Sequence, residues 1–495
     1  ASELAVAAPV KLPPTIAISA FFIMRCNMGF FYALSMRGDD ANLGLTYGGD
    51  IKMSAVLKMS AAEQGRAIAA GRVDPVELTE AYLEQMDAHA DTSRIYACKT
   101  PKRARAEAEA AQKRAKTGGL RSPLDGVPIS WKDLFDSAEY PTEAGSALLA
   151  GRVPAEDAEV LANATAQGLV CLGKTHMSEL AFSGLGLNPV TATPACINDA
   201  AAVAGGSSSG AAASIACDLA AGAIGSDTGG SVRIPAAWND LVGLKTTAGR
   251  VSVQGVVPLC ATFDTVGPLS KTVEDAALLL AALEGRTPAD LTASSLRGKR
   301  LGILQAVAFD ELREAPAKGF ETALAKVIKA GAIVEDIEIE AVAKAMPLSP
   351  ILFAAEAYGT WKTVIEAQPE VMFEEILNRF RGGADFAACD YIAASQMLAA
   401  LRQEYLALTA GYDAILCPTA PILPPNAARL MEDADYYVKE NLLALRNTRI
   451  GNLMGLCAIT LPSGTPSCGL MLMGPPGAEE GLLRLAQAAE AAILA

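Results

Sequence analysis

The sequence predicts an α/β protein built on one large, mixed and mostly buried β-sheet that helices cover on both faces. Segments typical of helices alternate with short apolar segments typical of strands along most of the 495 residues, and such alternation indicates an α/β fold. Apolar residues make up 51% of the chain, which is enough for a large core. No internal repeat of about 20–50 residues is found, and no long linker divides the chain. We therefore expect a single large domain at residues 54–495.

Local signals predict the individual elements in chain order. Residues 60–70 begin with a capping box, a serine followed three residues later by a glutamate, which predicts a helix. Residues 74–89 begin with an Asp-Pro pair, which favours the start of a second helix. Residues 101–116 are rich in alanine and charged side chains, as in a solvated helix. Further helices are expected at 155–167, 271–284, 316–330 and 479–493, and strands at 127–131, 168–172, 300–304, 332–338, 414–417, 458–461 and 469–473.

Two regions depart from this alternation. Residues 340–410 are the most helical and least patterned part of the chain, and we expect them to form a lid or the wall of a pocket. Residues 1–53 are predicted to be an N-terminal extension of uncertain status. Its apolar run at 15–24 is followed by Arg25, which disfavours a transmembrane helix. A targeting segment and a packed N-terminal arm stay open as alternatives.

Charge and cysteine content exclude several classes of function. Lys and Arg number 41 against 55 Asp and Glu, a net charge of −14, whereas direct nucleic-acid binding needs clustered basic residues. The same balance argues against docking on anionic lipid, and no apolar run reaches the roughly 18 residues of a membrane span. The ten cysteines form no C-x-x-C pair and lie mostly in apolar surroundings, as reduced core thiols do. We therefore expect a cytoplasmic protein.

The scarcity of histidine limits the kinds of catalytic and metal sites that the chain can form. Only His89 and His176 occur, which argues against a Ser-His-Asp triad and a histidine-rich metal site. A serine nucleophile would then need a lysine or a carboxylate as its base. Lys132 ends an apolar strand, where poor solvation would lower its pKa and make it able to accept a proton. A surface lysine just beyond the strand end is the alternative.

Two Gly/Ser clusters flank a helix of small residues and form the most unusual part of the sequence. The first is GGSSSG at 205–210 and the second is GSDTGGS at 225–231. Successive glycines leave backbone N–H groups unobstructed, and such groups at a turn bind anions. A hydroxyl beside them would supply what acyl transfer needs, a nucleophile and an oxyanion hole. An ordinary loop is the alternative, whereas phosphate binding is disfavoured because neither G-x-x-x-x-G-K-S/T nor G-x-G-x-x-G is present.

These segments together resemble the amidase signature family of serine hydrolases. GVPISWKDLF at 126–135 resembles the lysine segment of that family, GGSSSG its first cluster, and the stretch at 225–252 its core signature. The two serines that match the family pair, Ser207 and Ser231, are 24 residues apart, as in the family. The likeness extends over about residues 60–490 and includes GKTHMSELAFSG, FDTVGPLSKTVEDAALLLAAL, YDAILCPTAP and GLMLMGPPGAEEGLLRLA.

The resemblance implies a role for each site residue. Ser231 is the expected nucleophile, Ser207 the bridging serine, joined to Gly206 by a cis peptide bond, and Lys132 the terminal base. Protons would pass from Ser231 through Ser207 to Lys132, and later to the leaving amine. The oxyanion hole is expected to consist of the backbone N–H groups of Thr228, Gly229, Gly230 and Ser231.

Other positions either support this site or depart from the family pattern. Asp227 and Arg233 flank the nucleophile and are expected to form an ion pair that supports the loop, with a substrate carboxylate on Arg233 as the alternative. The usual Lys-Pro-Thr after the signature is KTT at 245–247, and the usual Gly-Leu-Pro near the C-terminal end is GLC at 455–457. Neither departure touches the three principal residues, but both affect the local loops.

The resemblance implies an amidase that hydrolyses a carboxamide to a carboxylate and ammonia or an amine. No metal or organic cofactor is implied, and the expected partner is a small-molecule amide substrate. The alternatives are the A subunit of a tRNA-dependent amidotransferase, an allophanate or urea-derivative hydrolase, and a catalytically inactive binding protein on the same fold. A homodimer is also left open.

Overall fold

The computed structural model describes residues 52–495. The predicted N-terminal extension at 1–53 lies outside the described residues apart from its last two, and the first helix begins at Met53. The described strands are β1 Tyr96–Lys99, β2 Pro128–Lys132, β3 Val170–Thr175, β4 Ala195–Cys196, β5 Asp199–Val203, β6 Ala223–Ser226, β7 Val242–Lys245, β8 Val266–Ser270, β9 Arg300–Leu304, β10 Ile333–Ile337, β11 Ala414–Pro418, β12 Cys457–Pro462 and β13 Gly469–Gly474.

Seventeen α-helices are described within residues 52–495. They are α1 Met53–Val56, α2 Ala61–Ala69, α3 Pro75–Ala88, α4 Thr92–Ile95, α5 Pro101–Thr117, α6 Glu159–Ala166, α7 Ser209–Ala216, α8 Arg233–Trp238, α9 Val273–Glu284, α10 Glu314–Lys329, α11 Glu340–Ala345, α12 Ala355–Ile365, α13 Glu374–Arg381, α14 Ala388–Thr409, α15 Ala427–Glu432, α16 Ala434–Leu453 and α17 Glu479–Leu494. A π-helical turn at Pro350–Ala354 precedes α12.

Eleven strands form one mixed sheet with helices around it, which confirms the predicted α/β fold. Their order across the sheet is β1-β3-β2-β6-β8-β7-β12-β13-β11-β9-β10, while β4 and β5 form a separate two-stranded sheet. The β2–β3, β2–β6, β9–β10 and β9–β11 pairs are parallel. Every residue of β2, β3, β6, β8 and β13 is buried, so the centre of the sheet is the core of the described structure.

The helix-start signals in the sequence correspond to real caps. The Ser60 side chain accepts a hydrogen bond from the Glu63 N–H, and the Glu63 carboxylate accepts one from the Ser60 N–H. Asp74 accepts a hydrogen bond from the Val76 N–H at the start of α3. These bonds satisfy N–H groups that a helix cannot pair internally.

Residues 340–410 fold into α11–α14 and the short helical turns between them, so the segment is helical as predicted. No helix within residues 52–495 combines the length and the apolar character needed to cross a membrane.

One parallel strand pair positions the candidate site. Strands β2 and β6 lie side by side, with Ser130 opposite Ala223 and Trp131 opposite Ile224. Because the strands are parallel, their carboxyl ends lie at the same edge of the sheet, where ligand sites of α/β proteins commonly form. This register places the last residues of the two strands, Lys132 and Ser226, close together.

Candidate active site

Lys132 is enclosed at the end of β2 and contacts two serine hydroxyls. Its side chain has no exposed surface, and its Nζ donates to Ser207 Oγ at 2.7 Å and to Ser226 Oγ at 2.7 Å. Burial lowers the pKa of Lys132 to about 7, although the charges of Asp264 and Asp227 act in the opposite direction. A substantial share of these amines is therefore uncharged at neutral pH, and an uncharged amine can accept a proton.

Ser207 is brought to Lys132 by the turn that begins α7. The Gly206–Ser207 peptide bond is cis, as the resemblance implies. The next residue, Ser208, donates its backbone N–H to the Ser231 carbonyl at 3.2 Å, so the two Gly/Ser clusters lie against each other. A Cβ at Gly225 would lie 2.6 Å from Ser208 Oγ, which explains why glycine is needed in β6 at this contact.

A buried ion pair holds the glycine turn that carries Ser231. Asp227 and Arg233 have no exposed side-chain surface, and Arg233 donates from Nε and Nη2 to the two oxygens of Asp227 at 3.0 and 2.9 Å. Burial raises the pKa of the Asp227 carboxyl, but the charge and hydrogen bonds of Arg233 outweigh it and hold the pKa well below its usual range. The pair is therefore ionised and supports the loop, as one of the two sequence interpretations expects.

The alternative interpretation of Arg233 is contradicted by its contacts. Besides its bonds to Asp227, it donates to the Thr448 carbonyl at 2.8 Å, to Asn452 Oδ1 at 2.6 Å and to Met471 Sδ at 3.3 Å. All five N–H donors of the guanidinium are thus engaged. Because the group is fully buried and has no free donor, it cannot bind a substrate carboxylate in this arrangement.

The expected oxyanion hole needs one correction. The backbone N–H of Gly230 donates to Asp227 Oδ1 at 2.8 Å, so it is already engaged by the buried ion pair. Gly230 has φ +141°, and a Cβ there would lie 2.1 Å from Thr448 Oγ1, so this glycine shapes the turn. The N–H groups of Thr228, Gly229 and Ser231 have no acceptor within residues 52–495.

A second carboxylate anchors the turn from the loop that precedes β8. Asp264 Oδ1 accepts a hydrogen bond from Thr228 Oγ1 at 2.5 Å, and Oδ2 accepts from the N–H groups of Leu259 and Cys260 at 2.9 and 3.0 Å. Burial raises the pKa of Asp264 to about 6. Asp264 was not predicted as a site residue, although it lies in the FDTVGP segment that carries part of the resemblance.

Ser231 lines a small cavity. Its side chain forms no hydrogen bond within residues 52–495, and the cavity has a volume of about 30 Å³, well below the usual range for ligand sites. Apolar side chains of Phe182, Leu259, Phe353 and Leu445 form much of the wall. Ser207 and Ser231 share no hydrogen bond, but such bonds often form only in the substrate complex.

The cavity also contains two residues that the sequence did not single out, Arg379 of α13 and Arg449 of α16. Helix α16 was missed because residues 443–453 are buried on all sides, so it lacks the one-sided apolar stripe that signals a helix. Ser226 was missed as a partner of Lys132, although it stands inside the second Gly/Ser cluster. Within residues 52–495 no group of three or more His, Cys, Asp or Glu side chains is arranged to hold a metal ion.

Comparison with known proteins identifies the family. A family model described as Amidase matches residues 77–483. The A subunit of glutamyl-tRNA(Gln) amidotransferase from Chloroflexus aurantiacus is 31% identical over 462 residues, covering 85% of this chain and 94% of that protein. The 2-amino-5-chloromuconic acid deaminase of Comamonas testosteroni is 34% identical over 450 residues, covering 88% and 97%.

A solved structure extends the agreement to three dimensions. The native peptide amidase from Stenotrophomonas maltophilia superposes with a TM-score of 0.75 at 28% identity, covering 88% of this chain and 97% of that one. The family match spans most of the chain, and the relatives are matched over nearly their whole length. The chain belongs to the amidase family and is an enzyme that hydrolyses amide C–N bonds.

Proposed function

We propose that the enzyme is a serine amidase that works through a Ser231 acyl-enzyme. Ser231 Oγ attacks the carbonyl carbon of a carboxamide, and the proton leaves through Ser207 to Lys132. The tetrahedral intermediate collapses when the amine takes a proton back through Ser207 and departs. Water then adds to the acyl-enzyme by the same proton path, which releases the carboxylate and regenerates Ser231.

The observation that carries this proposal is the contact between an enclosed, readily deprotonated amine and a serine hydroxyl. Lys132 Nζ lies 2.7 Å from Ser207 Oγ, with Ser226 Oγ as its second partner at 2.7 Å. A neutral amine can donate to Ser226 while its lone pair accepts the Ser207 proton. Ser226 is therefore a positioning residue that orients the amine.

The glycine turn supports the proposal electrostatically. Its free N–H groups, those of Thr228, Gly229 and Ser231, are the donors we assign to the developing oxyanion. Asp227 and Asp264 hold the turn by accepting hydrogen bonds from the Gly230 N–H and from Thr228 Oγ1, so the donors are in place before the substrate binds. Loss of one such donor typically costs about 3 kcal/mol of transition-state stabilisation.

Labelling with a fluorophosphonate tests whether Ser231 is the nucleophile. We expect the wild-type protein to be labelled at Ser231 and Ser231→Ala to lose both the label and ammonia release from a panel of aliphatic, aromatic and acidic amides. Ser252→Ala is the matched control, because Ser252 is a surface serine bound to Glu159. Equal labelling of Ser231→Ala and the wild type would refute the assignment.

A second candidate function is that of the A subunit of a tRNA-dependent amidotransferase. It is favoured by the 31% identity to a protein with that name, and in this function the released ammonia would pass to a partner protein. Affinity purification from the native cell decides between the two. A co-purifying protein, with glutaminase activity only in the complex, supports the amidotransferase, whereas amide hydrolysis by the isolated chain supports the self-contained amidase.

The proposed location is the cytoplasm. Nine cysteines within the described residues are free thiols, and free thiols are typical of a reducing compartment.

A further inference from the structure

The peptide unit between Gly229 and Gly230 is held at both of its polar ends. Its N–H group, that of Gly230, donates to Asp227 Oδ1 at 2.8 Å. Its carbonyl, that of Gly229, accepts from Thr448 Oγ1 at 2.8 Å, which is the only hydrogen bond to this carbonyl within residues 52–495. A peptide unit between two glycines can rotate with little steric resistance, because neither residue has a Cβ. Two side chains therefore fix an orientation that the backbone alone does not impose.

The orientation of this peptide unit decides which polar groups face the cavity. Thr228, Gly229 and Ser231 line the cavity, whereas Gly230 does not. The N–H groups of Gly229 and Ser231 belong to the peptide units on either side, and both are assigned to the oxyanion. If the unit between them turned over, the oxygen of the Gly229 carbonyl would face the cavity. A carbonyl oxygen repels a developing oxyanion, whereas N–H groups stabilise it.

The hydroxyl that holds this carbonyl belongs to a fully buried threonine of α16, Thr448. A threonine inside a helix commonly donates to a carbonyl of the preceding turn, and the Leu445 carbonyl lies 3.2 Å from Thr448 Oγ1. The contact with Gly229 is shorter, at 2.8 Å. The same side chain packs directly against Gly230, where a Cβ would lie 2.1 Å from Thr448 Oγ1. Thr448 therefore reaches out of its own helix to the glycine turn.

Contacts with the buried ion pair fix Thr448 relative to the turn. The Thr448 carbonyl accepts from Arg233 Nη1 at 2.8 Å. Asn452, four residues further along and on the same face of α16, accepts from Arg233 Nη2 at 2.6 Å and donates to Asp227 Oδ1 at 2.9 Å. Helix α16 is thus bound to the ion pair by three hydrogen bonds, so the Thr448 hydroxyl is in place before the substrate binds.

We infer that Thr448 is a positioning residue of the oxyanion hole, whose hydroxyl holds the Gly229 carbonyl away from the cavity and leaves the Gly229 and Ser231 N–H groups to face it. The inference rests on the proposed role of Ser231 and adds a residue that lies 219 positions from Gly229 in the sequence. The substrate oxygen gains its negative charge only as the tetrahedral intermediate forms. Loss of the Thr448 hydroxyl should therefore lower kcat and leave KM almost unchanged.

Replacing the hydroxyl by a methyl group tests this role. Thr448→Val keeps the shape of the side chain but leaves the buried Gly229 carbonyl without a donor. We expect kcat for ammonia release to fall by about 100-fold, as for the loss of one oxyanion donor. The rate of fluorophosphonate labelling at Ser231 should also fall, because the phosphonyl oxygen occupies the oxyanion position. Thr448→Ser keeps the hydroxyl and should retain most of the wild-type kcat.

A buried threonine outside the site provides the matched control. Thr100, directly before α5, is also fully buried, and its Oγ1 donates to the Cys171 carbonyl at 2.8 Å. Thr100→Val loses a hydrogen bond of the same kind and should retain the wild-type kcat. Thermal unfolding should show that all variants are folded. If Thr448→Val does not fold, Thr448→Ala takes its place, because it removes the hydroxyl without putting a methyl group against the carbonyl.

The outcomes separate this inference from the proposed function. The inference is overturned if Thr448→Val has the wild-type kcat and labelling rate, if Thr448→Ser loses as much kcat as Thr448→Val, or if the loss arises from a higher KM. In each of these cases labelling of the wild type at Ser231 leaves the proposed function standing. If the wild type is not labelled at Ser231 and releases no ammonia, the proposed function itself fails.

Discussion

Replacing Lys132 by methionine is expected to lower kcat by about 10³-fold or more, in the range that loss of a general base produces. Methionine is of similar length and apolar, so it can occupy the buried position, but it cannot accept the proton from Ser207. The measurement is kcat at saturating substrate, with the thermal midpoint measured alongside to show that the variant is folded.

The control for Lys132→Met is a second buried lysine. Lys245 is also enclosed, and burial lowers its pKa to about 8. Its Nζ, however, donates to the carbonyls of Thr246 and Leu456 rather than to a serine, so Lys245→Met should lose far less activity. Combining Lys132→Met with Ser207→Ala should cost no more than either change alone, because both interrupt one proton path. Additive losses would contradict the path.

Replacing Asp227 by alanine is expected to lower the free energy of unfolding by about 3–5 kcal/mol, because Arg233 is then buried with an unpaired charge. The change also removes the acceptors of the Gly230 and Val232 N–H groups, so the glycine turn loses its anchor and activity should fall. Denaturant unfolding measures the first effect, and ammonia release measures the second.

An exposed ion pair provides the comparison for Asp227→Ala. Glu366, directly after α12, pairs with Arg381 at the end of α13. Water screens the charges of this exposed pair, so Glu366→Ala should have a much smaller effect. Removing both partners, in Asp227→Ala with Arg233→Met, should restore part of the lost stability, since no unpaired charge is left. If Asp227→Ala is no more destabilising than Glu366→Ala, the ion pair does not hold the turn.

Elements with strong local signals could be predicted from the sequence. The capping box at Ser60, the Asp74-Pro75 start of α3 and the apolar strand that ends at Lys132 each carry a signal within a few residues, and all are present. The pairing of Lys132 with Ser207 was expected from the resemblance to a family. The sequence spacing alone does not predict this pairing, because the two residues are 75 positions apart.

Features that depend on long-range packing could not be predicted. Strands β6 and β7 are only four residues long, and β8 contains an internal proline, which disfavours a strand. Arg379 resembles an ordinary surface residue of a charged helix until α16 brings Arg449 into the same cavity. The engagement of the Gly230 N–H by Asp227 likewise appears only once the turn is folded.

The central claim is that Lys132 is uncharged when the enzyme works. Because burial lowers its pKa to about 7, the amine is protonated below that pH and cannot accept the Ser207 proton. Above that pH it is neutral and competent. Activity should therefore fall on the acid side. Asp264, whose pKa is raised to about 6, takes up a proton in a pH range close to that of Lys132. Its effect on activity must therefore be distinguished from that of Lys132.

The pH dependence of kcat/KM, measured for the wild type and for Asp264→Asn, tests this claim most directly. The neutral-lysine mechanism predicts that both proteins lose activity by about tenfold per pH unit on the acid side and level off above it. In the wild type this limb begins near pH 7, and in Asp264→Asn it begins at a lower pH, because loss of the Asp264 charge lowers the pKa of Lys132 further. A wild-type profile that stays flat down to about pH 5, or an acid limb that disappears in Asp264→Asn, would contradict it.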